Sequence, residues 1–388
     1  MFKSRILSLL LVAALLISAG TYALADEDVS IQEVFPQANT SAQQPQTTGG
    51  NPADLPEAPA EPTPDPVATL PDGSIEITIS AVGDITFGGD VRKRNNIFEN
   101  ELRKQGGDLG FVMRNVRDLL SQDDLTIGNF ETTLTTAPVY KTNNQFVFSA
   151  PTEYVQILTD GSFEAVSFEN NHTMDHGEQG HRETTDTLTN AGIVWSTADH
   201  MGEFETKGIK IAMLSYWQLR ERMDSMFVDI PRKIAEIRAA YDLIIVSFHW
   251  GEELDYYPNA NQQKMAKITI DAGADLVLGH HSHRVNPIEE YNGKYIVYSL
   301  GNFSFSGNNK PSDMSTFIFQ ARYRFKEGQM QSSAFRIIPA RISSKRDYND
   351  FAPTPFTDQT LIDNVIQMLH RNGKQISNPV ATYPVDWQ

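Results

Sequence analysis

Short apolar runs alternate with longer stretches of helical periodicity through most of the chain after residue 74. The apolar runs predict strands over 75–80, 125–127, 165–168, 209–216, 243–248 and 276–278, and then hairpin-like strands over 294–299, 315–325 and 329–338. The stretches between them predict helices over 111–120, 182–191, 232–240 and 262–272. Strands that alternate with helices are typical of an α/β fold built around layered sheets.

The first 25 residues follow a different pattern. Lys3 and Arg5 precede an apolar run over 6–17, and an Ala-Leu-Ala triplet occupies 23–25, which is the order of regions in a secretory signal peptide cleaved before Asp26. The run is shorter than the ~20 apolar residues that a membrane span needs, and an uncleaved membrane anchor is the alternative. Residues 1–25 therefore predict an extracellular or cell-surface protein.

Residues 26–73 are rich in Gln, Thr, Ala, Glu and Pro, and nine of the twenty prolines lie between Pro36 and Pro71. Sequence of this kind buries too little apolar surface to offset chain entropy and is expected to form a disordered, Pro-rich linker. The alternating elements then place one folded domain over 74–342. Residues 343–388 are expected to form a C-terminal extension, with a helix over 361–369, that packs on the domain.

Composition narrows the chemistry. The chain has 388 residues, no cysteine and a formal net charge of −17. Without cysteine there are no disulfides, thiolate metal sites or cysteine nucleophiles, so a metal ion would be held by oxygen and nitrogen alone. The negative charge argues against a broad surface for nucleic acid or anionic lipid, and no nucleic-acid partner is expected. An anionic partner would need local cations, for which Arg92, Lys93, Arg94 and Arg284 are candidates.

Polar residues cluster where the predicted strands end. The clusters lie over 81–84, 128–131, 169–177, 249–253, 279–284 and 299–303, and they hold six of the nine histidines. The carboxyl ends of strands are where open α/β sheets bind ligands. Histidines scattered through a core would not concentrate in this way, so the clusters predict one shared site.

Two of these clusters are the most informative. The HHSH run after the strand over 276–278 places three imidazoles within four residues, and His281 and His283 can point at one centre. The run over 170–175 fits either a metal and acid–base cluster or a loop held by side-chain hydrogen bonds. Imidazole with carboxylate and amide oxygens suits Mn, Zn, Fe or Mg, and two such ions together would clamp a phosphate ester during hydrolysis.

The blocks GDITFGGD, IGNFETTLT, NNHTMDHG, SFHWGEE, DAGADLVLGHHSHRV and YSLGNFSF, in this order and spacing, resemble those of the bacterial CapA capsule-synthesis family, also called the poly-γ-glutamate biosynthesis family. The resemblance covers 75–307, and the family's domain is related to the calcineurin-like metallophosphatases. It implies an α/β fold with a four-layer α/β/β/α sandwich. It also implies a cell-surface role in making, exporting, attaching or trimming an anionic extracellular polymer such as poly-γ-glutamate, with membrane polymer-synthase subunits as further partners.

Matched block by block, the resemblance assigns seven metal ligands. They are Asp84, Asn129, Glu131, Asn171, His249, His281 and His283. His172 matches a general acid that protonates the leaving group, and with Asp175 beside it and Asp84 it forms the predicted catalytic set. The candidates for binding substrate, which lie in the same clusters, are Arg284, Asn302, Trp250 and Glu253. Of these, Trp250 is expected to line a groove.

The chain departs from the metallophosphatase pattern at two positions. Thr86 stands where the first block of a metallophosphatase has a histidine, and Asn129 stands where the second has a bridging aspartate. CapA-like proteins share these departures. The departures remove an imidazole ligand and the anionic bridge from one metal centre. The pattern therefore predicts at most one loosely held divalent ion, Mn, Zn, Fe or Mg, and weak activity on simple phosphate esters.

Three functions stay open at this point. The first is a hydrolase or transferase that acts on an amide or ester of an anionic polymer, with the site residues holding one metal ion or acting as a metal-free acid–base set. The second is a non-catalytic, polymer-binding accessory subunit of a polyglutamate synthase. The third is a metallophosphoesterase.

Overall fold

The computed structural model describes residues 69–139, 145–218 and 223–387. The predicted signal peptide over 1–25, and the predicted linker over 26–73 except its last residues, lie outside the described residues. Within the described ranges, no helix combines the length and the apolar composition that crossing a membrane requires.

The described residues form sixteen strands. In chain order they are β1 (Ile75–Thr86), β2 (Leu125–Phe130), β3 (Thr133–Leu134), β4 (Ser149–Ala150), β5 (Ala165–Ser167), β6 (Val194–Ser196), β7 (Gly202–Thr206), β8 (Ile209–Trp217), β9 (Leu243–His249), β10 (Leu276–His280), β11 (Ile288–Tyr291), β12 (Lys294–Val297), β13 (Asn302–Phe305), β14 (Ser315–Lys326), β15 (Gln329–Arg341) and β16 (Thr354–Pro355). Each of the predicted strands overlaps one of these, so the predicted order of strands is confirmed.

Two mixed sheets contain all of these strands except the β3–β4 pair. The first sheet has eight strands in the order β16-β15-β14-β1-β2-β5-β6, and β13 also pairs with β1. In it, β1, β2, β5 and β6 run parallel. The second sheet has six strands in the order β11-β12-β10-β9-β8-β7, of which β8, β9, β10 and β12 run parallel. The parallel strands of each sheet therefore end at a common edge.

The α-helices of the described residues cover the outer faces of these sheets and one end of the fold. They are α1 (Ile97–Lys104), α2 (Arg117–Leu120), α3 (Gln156–Asp160), α4 (Gly177–Asn190), α5 (Met223–Ile237), α6 (Ala260–Asp271) and α7 (Gln359–Gly373). Three of the four helices predicted between strands correspond to α4, α5 and α6, and the helix predicted near the C-terminus corresponds to α7.

The helix predicted over 111–120 is wrong in its extent. A 3₁₀ turn at Leu109–Phe111 comes first, and only Arg117–Leu120 is α-helical. Asn115 and Val116 lie between these two turns, and both residue types have low helix propensity. Burial of the apolar side chains holds this segment against the sheet without a continuous helix.

Apolar side chains fill three spaces between four layers of secondary structure. Ile77 of β1 and Ile245 of β9 lie in the space between the two sheets. Val82 of β1 packs on the outer face of the first sheet with side chains from α1 to α4, and Ile244 of β9 packs on the outer face of the second with side chains from α5 and α6. Successive side chains on a strand point to opposite faces. The layers therefore run α/β/β/α, which confirms the predicted α/β sandwich.

Residues after 342 contact the end of the sandwich. Helix α7 lies against β11 and β15, and its Val365 and Leu369 join the apolar space between the sheets. Beyond the helix, Tyr383 joins the same space and the N–H of Val380 donates to the carbonyl of Ile288 at 3.1 Å.

Candidate metal centre and acid–base pair

The candidate site lies at the edge where the parallel strands of both sheets end. Asp84 and Asn129 are ladder partners near the ends of β1 and β2, and Asp84 also pairs with Asn302 of β13. His249 and His280 are ladder partners at the ends of β9 and β10. The amide nitrogen of Asn129 lies 3.3 Å from Nδ1 of His249. This contact joins the two sheets at the edge where the sequence predicts a shared site.

Gly83 permits the close approach of strands that this edge requires. A Cβ atom at position 83 would lie 2.0 Å from the carbonyl oxygen of Gly301. The same oxygen accepts a hydrogen bond from the N–H of Asp84 at 2.9 Å. A larger residue at position 83 would therefore separate Asp84 from Asn302, because β1 and the residues before β13 are in backbone contact here.

Asp84 is fully buried and surrounded by donors. Its Oδ1 accepts from the amide of Asn129 at 2.8 Å, and its Oδ2 lies 3.0 Å from Nδ1 of His283, which also lies 2.9 Å from Oδ1 of Asn302. Nδ1 of His280 lies 3.5 Å from Oδ1 of Asp84. Burial alone would raise the pKa of Asp84, but the imidazoles of His280 and His283 outweigh burial and hold that pKa well below its ordinary value.

The pKa values of two histidines of the site shift in opposite directions. Burial would lower the pKa of His283, but the charges of Glu131 and Asp84 and a hydrogen bond with Asp84 raise that pKa to about 9. Burial, followed by the charge of His281, holds the pKa of His249 well below its ordinary value. His249 is therefore neutral, which is the form of imidazole that binds metal ions.

Glu131 is a buried carboxyl group without hydrogen-bond donors. It is 1% exposed, and neither of its oxygens accepts a hydrogen bond from the described residues. Its Oε1 lies 3.7 Å from Nε2 of His249 and 3.9 Å from Nε2 of His172. Burial, and then the charge of Asp84, raise the pKa of Glu131 well above its ordinary value. A buried carboxylate is costly unless a cation or a proton compensates it.

Glu131 belongs to two groups of potential metal ligands. One group consists of Glu131, His249 and His281, and the other of Asp84, Glu131 and His283. Within each group the ligand atoms lie within 4.8 Å of one another. Carboxylate oxygens with imidazole nitrogens suit divalent ions such as Mn, Zn or Fe. The unpaired oxygens of Glu131 and the unpaired Nδ1 of His281 show that the residues present fit such an ion.

The sequence predicts that the anionic bridge between two metal centres is lost with Asn129, but the structure contains a carboxylate that both ligand groups share. Glu131 lies two residues beyond Asn129, and its carboxyl group is common to both ligand groups. Thr86, which replaces a histidine, donates its hydroxyl to the main-chain carbonyl of Glu131 at 3.3 Å. The geometry thus offers two places for a divalent ion where the sequence predicts one, and the number of ions bound stays a prediction.

Asn129 and Asn171, the two predicted ligands outside these groups, both contact His249. Oδ1 of Asn171 lies 2.7 Å from Nε2 of His249, and the amide nitrogen of Asn129 lies 3.3 Å from Nδ1 of the same ring. Asn171 therefore lies in the centre, beside the group formed by Glu131, His249 and His281.

The backbone of the histidine run is strained at its two ligand positions. His281 has a φ of 89° and His283 a φ of 54°. This left-handed region is uncommon for residues other than glycine, and such a residue costs about 1–3 kcal/mol. Strain of this kind persists where the surrounding structure imposes it, and it clusters at functional sites.

His172 and Asp175 form an acid–base pair at the rim of the centre. Nδ1–H of His172 donates to Oδ2 of Asp175 at 2.7 Å, and the same oxygen accepts from the N–H of Phe148 at 3.0 Å. The Phe148 ring also packs against the His172 ring, with centroids 4.5 Å apart. Nε2 of His172 is left facing Glu131. This is the arrangement of a histidine whose tautomer is set by a carboxylate and whose second nitrogen exchanges protons.

The comparison with protein families covers this whole arrangement. A family model described as "Bacterial capsule synthesis protein PGA_cap" matches residues 78–306. The chain belongs to this family.

Three relatives of this family member show how far the similarity extends. The PGA biosynthesis protein CapA of Bacillus subtilis is 31% identical over 310 residues, which cover 75% of this chain and 76% of that protein. The capsule biosynthesis protein CapA of Bacillus anthracis is 29% identical over 260 residues, which cover 59% of this chain and 60% of that protein. A Mycobacterium tuberculosis protein described as a "probable polyglutamine synthesis accessory protein" is 28% identical over 207 residues, which cover 46% of this chain and 54% of that protein. The CapA resemblance found in the sequence is thereby confirmed.

Two residues of the PGA_cap site are absent from the set predicted by sequence. Asn170 donates its amide to Oδ1 of Asn129 at 3.2 Å and to the carbonyl of Phe130 at 2.9 Å, and its Oδ1 accepts the N–H of His172. His280 is buried beside Asp84, as described above. Both lie within the polar clusters, so the position after a strand was the available signal. The family resemblance assigns roles to their neighbours in those clusters and none to these two residues.

The predicted role of Trp250 in binding substrate is wrong. Trp250 is 1% exposed, its ring stacks on Phe248 with centroids 4.5 Å apart, and its Nε1–H donates to the carbonyl of Tyr298 at 3.0 Å. The physical reason is the alternation of side chains along an extended chain. Because His249 points into the centre, the next side chain points away from it and into the apolar space under α5 and α6.

The other residues predicted to bind substrate lie near the centre. Asn302 contacts His283, as described above. Arg284 follows His283 directly; its guanidinium donates to the carbonyl of His283 at 2.9 Å and lies 5.6 Å from the centroid of the Tyr256 ring. Glu253 is exposed in the segment after β9, and its charge is among those that raise the pKa of His283. Whether these three residues bind substrate stays a prediction.

Proposed function

We propose that this capsule synthesis protein is a hydrolase or transferase that acts on an amide or ester bond of an anionic polymer such as poly-γ-glutamate, outside the cytoplasmic membrane. The observation that carries the proposal is a buried acid–base histidine, His172, whose Nε2 lies 3.9 Å from the unpaired carboxyl group of Glu131. Two relatives are named for PGA or capsule biosynthesis, which supports the choice of polymer. The location outside the membrane rests on the signal-peptide pattern over 1–25.

The residues that would hold a divalent ion are Glu131, His249 and His281 in one group and Asp84, Glu131 and His283 in the other. A divalent ion bound there supplies Lewis-acid polarisation of a carbonyl and a more acidic water molecule. The protein fixes the ligands in advance. The amide contacts to Asp84 and His249, and the hydrogen bond that joins His283 to Asp84, hold these side chains in one arrangement.

His172 moves the proton in the proposed reaction. Its Nδ1–H is engaged by Asp175, so Nε2 is the nitrogen that takes up and releases a proton. In hydrolysis of an amide, the hydroxyl of water bonds to the carbonyl carbon, the C–N bond breaks, and the proton that His172 accepts from water passes to the leaving nitrogen. In transfer, an amino or hydroxyl group of an acceptor replaces water. Asp175 stabilises the imidazolium formed between the two proton transfers.

The test is the release of amino groups from poly-γ-glutamate by the purified full-length protein supplied with Mn²⁺ or Zn²⁺. An amine-reactive dye counts new amino ends, and electrophoresis follows chain length. We expect His172→Ala and Asp175→Asn to lower the rate by about 10²–10⁴-fold. His370→Ala is the matched control, because His370 is exposed at the end of α7. Equal rates in wild type and His172→Ala would contradict catalysis by this pair.

A polymer-binding accessory subunit of a membrane polymer synthase is the second candidate. It is favoured by the relative described as accessory to polyglutamine synthesis. The two candidates differ in what His172→Ala does in cells that make the polymer. The accessory function requires that this variant bind polymer and sustain polymer output like the wild type. The enzymatic function requires that it bind polymer while the processing of the polymer fails.

A further inference from the structure

A polar groove runs along helix α1 beside the candidate site. Its first part is a cavity of about 330 Å³ that includes Lys93 and Phe146, and its second part is a cavity of about 540 Å³ that includes Arg103 and Lys104. The two parts share three lining residues, Asn95, Ile97 and Asn309. We call both parts together the α1 groove. Two cavities that adjoin along a shared wall suit an extended chain better than a single small molecule.

Two strands that carry site residues lead directly into the α1 groove. β1 carries Asp84, and Gly89, a few residues further along, lines the first cavity. β13 begins at Asn302, which contacts His283, and Gly307 just beyond its end lines the same cavity. The first cavity therefore lies directly beyond the ends of two strands that carry site residues.

A row of aromatic rings joins the groove to both sides of the site. The Phe148 ring lies 4.5 Å from the His172 ring and stacks on Phe146, a groove residue, with centroids 5.6 Å apart. The Phe305 ring lies 4.8 Å from the His283 ring and 5.9 Å from the Phe148 ring. The first cavity is thus separated from the acid–base histidine and from a metal-ligand histidine by one ring on each side.

Lys93 is the cation of the first cavity. Its ammonium lies over the Phe146 ring, 4.6 Å from the centroid, and among the described residues it forms no ion pair within 4 Å. The carboxylate of the same cavity belongs to Asp90, which is engaged by Arg92 at 3.1 Å. In a chain with a net charge of −17, an ammonium without a salt-bridge partner among the described residues offers a place for an anion from outside.

Amide side chains and a helix start complete the polar lining. Oδ1 of Asn308 accepts the N–H of Lys310 at 2.8 Å, which leaves its NH₂ group without an acceptor among the described residues. Asn96 caps α1 by accepting the N–H of Glu99, so the positive end of that helix faces the cavity. Ammonium, amide and helix start together suit a ligand that carries carboxylates and secondary amides.

We propose that the α1 groove is a subsite that binds the carboxylates of an anionic polyamide chain on one side of the bond placed at the metal-ligand groups, with Lys93 as its principal cation. This subsite rests on the proposed function. It adds the direction in which the polymer runs, away from the centre and along α1, and it names a binding residue outside the ligand groups and the acid–base pair.

The subsite predicts that affinity depends on chain length. A γ-linked glutamate dimer occupies the centre alone, whereas longer oligomers also reach Lys93. An exposed ion pair contributes modestly, so Lys93→Met, which keeps the aliphatic stem over Phe146, should weaken binding of long oligomers about 2–5-fold. Lys93→Glu should weaken it about 10-fold. Neither variant should change binding of the dimer.

The experiment is titration calorimetry of γ-linked glutamate oligomers of defined length into the full-length protein at low salt. All variants carry His172→Ala, so that no polymer is consumed. Asn308→Asp is a second test: it keeps the acceptor for Lys310, adds a negative charge to the groove, and should weaken long oligomers about 2–5-fold. Lys326→Glu is the matched control. Lys326 is an exposed lysine at the last position of β14, next to Phe325, which pairs with the first residue of β1, whereas the site lies at the other end of β1.

Three outcomes decide the proposal. Weaker binding of long oligomers in the groove variants alone supports the subsite. Long oligomers that bind the Lys93 variants as tightly as the parent, or that weaken equally in Lys326→Glu, overturn the subsite and leave the proposed function intact. Oligomers of every length that fail to bind the parent overturn the proposed function, and the subsite with it.

Discussion

At their amino ends β2, β5, β9 and β10 are each preceded by an acidic residue, and at their carboxyl ends each leads into a residue of the candidate site. The four acidic residues are Asp124, Glu164, Asp242 and Asp275. Each of them accepts a main-chain N–H of the neighbouring strand. The donors, in the same order, are Thr78 at 2.9 Å, Thr126 at 2.7 Å, Lys210 at 2.8 Å and Ile244 at 2.9 Å.

Cations reinforce two of these carboxylates at the amino edge. Asp124 lies 2.8 Å from Nζ of Lys207, and Asp275 lies 2.6 Å from the Arg238 guanidinium and 2.7 Å from Nζ of Lys294. Each carboxylate therefore ties two adjacent strands together. The acidic residues of this edge stabilise the sheets, because their hydrogen-bonding capacity is used within the fold.

The carboxyl edge of the same strands uses acidic residues differently. Asp84 is bound by imidazoles and an amide, with no lysine or arginine among the partners described above, and Glu131 has no hydrogen-bond partner among the described residues. Two histidines of this edge keep left-handed backbone. The difference teaches that burial of a carboxylate alone does not distinguish the two edges. What distinguishes the candidate site is that its buried carboxylates have imidazoles and an amide as neighbours, in place of lysine or arginine.

Glu131→Gln should have the largest effect on this comparison. We expect the affinity for Mn²⁺ or Zn²⁺ to fall by at least about 100-fold, because the variant removes the carboxylate that both ligand groups share. The free energy of unfolding in the presence of a chelator should not fall, because the variant removes a buried charge that lacks partners. Competition with a metallochromic chelator measures the affinity, and urea unfolding measures the stability.

Glu253→Gln is the control for this measurement, since Glu253 is an exposed acidic residue of the segment after β9. Its metal affinity should stay within about threefold of wild type. Unchanged metal affinity in Glu131→Gln, or a large loss of stability without metal, would show that Glu131 is a structural carboxylate like those of the amino edge.

Asp275→Asn tests the amino edge and should have the next largest effect. The variant breaks the pairs with Arg238 and Lys294, which are 31% and 27% exposed. We expect a loss of about 2–3 kcal/mol in the free energy of unfolding, below the ~3–5 kcal/mol of a fully buried pair. Metal affinity should not change.

Asp229→Asn provides the matched comparison for Asp275→Asn. Asp229 pairs with Arg232 on α5, where both side chains are more than half exposed. The loss there should be below about 0.5 kcal/mol. If Asp275→Asn cost no more than this, the carboxylates of the amino edge would not stabilise the sheets.

Much of the fold was predictable because it depends on local patterns. The alternation of apolar runs with helical stretches is visible in sequence, and so are the polar clusters after the strands. The acidic residue before each of β2, β5, β9 and β10 is also visible. Its partner is not, since the N–H that Asp275 accepts belongs to Ile244 and depends on the register between β9 and β10.

The residues that form the site were easier to predict from the sequence than their arrangement. The sharing of Glu131 depends on how β2 ends beside β1, where the register between the two strands shifts between Ala81 and Asp84. No local pattern encodes such a shift. The misplacement of Trp250, in contrast, was avoidable, because strand alternation alone turns it away from a centre that includes His249.

Asp123 provides the test with the smallest expected effect. It lies at the amino edge but, like Glu131, it has a buried carboxylate oxygen without a hydrogen-bond partner among the described residues. One of its oxygens is buried without a partner, while the other accepts the hydroxyl of Thr126 at 2.8 Å. Burial, helped by the charges of Glu164 and Asp124, raises the pKa of Asp123 to about 7. A carboxyl group with a raised pKa in the folded state stabilises the fold most below its ordinary pKa, and that contribution is lost as the pH rises through 7.

The free energy of unfolding of Asp123→Asn should therefore match that of wild type near pH 4 and exceed it by about 1–2 kcal/mol at pH 8, after allowance for partial exposure. Urea unfolding across this range measures the difference, with Asp118→Asn on the exposed face of α2 as the control that should show no such trend. Asp123 precedes β2 at the amino edge, whereas both ligand groups lie at the carboxyl edge. The variant should therefore leave metal affinity unchanged, and a drop in affinity would mean that the two edges are coupled.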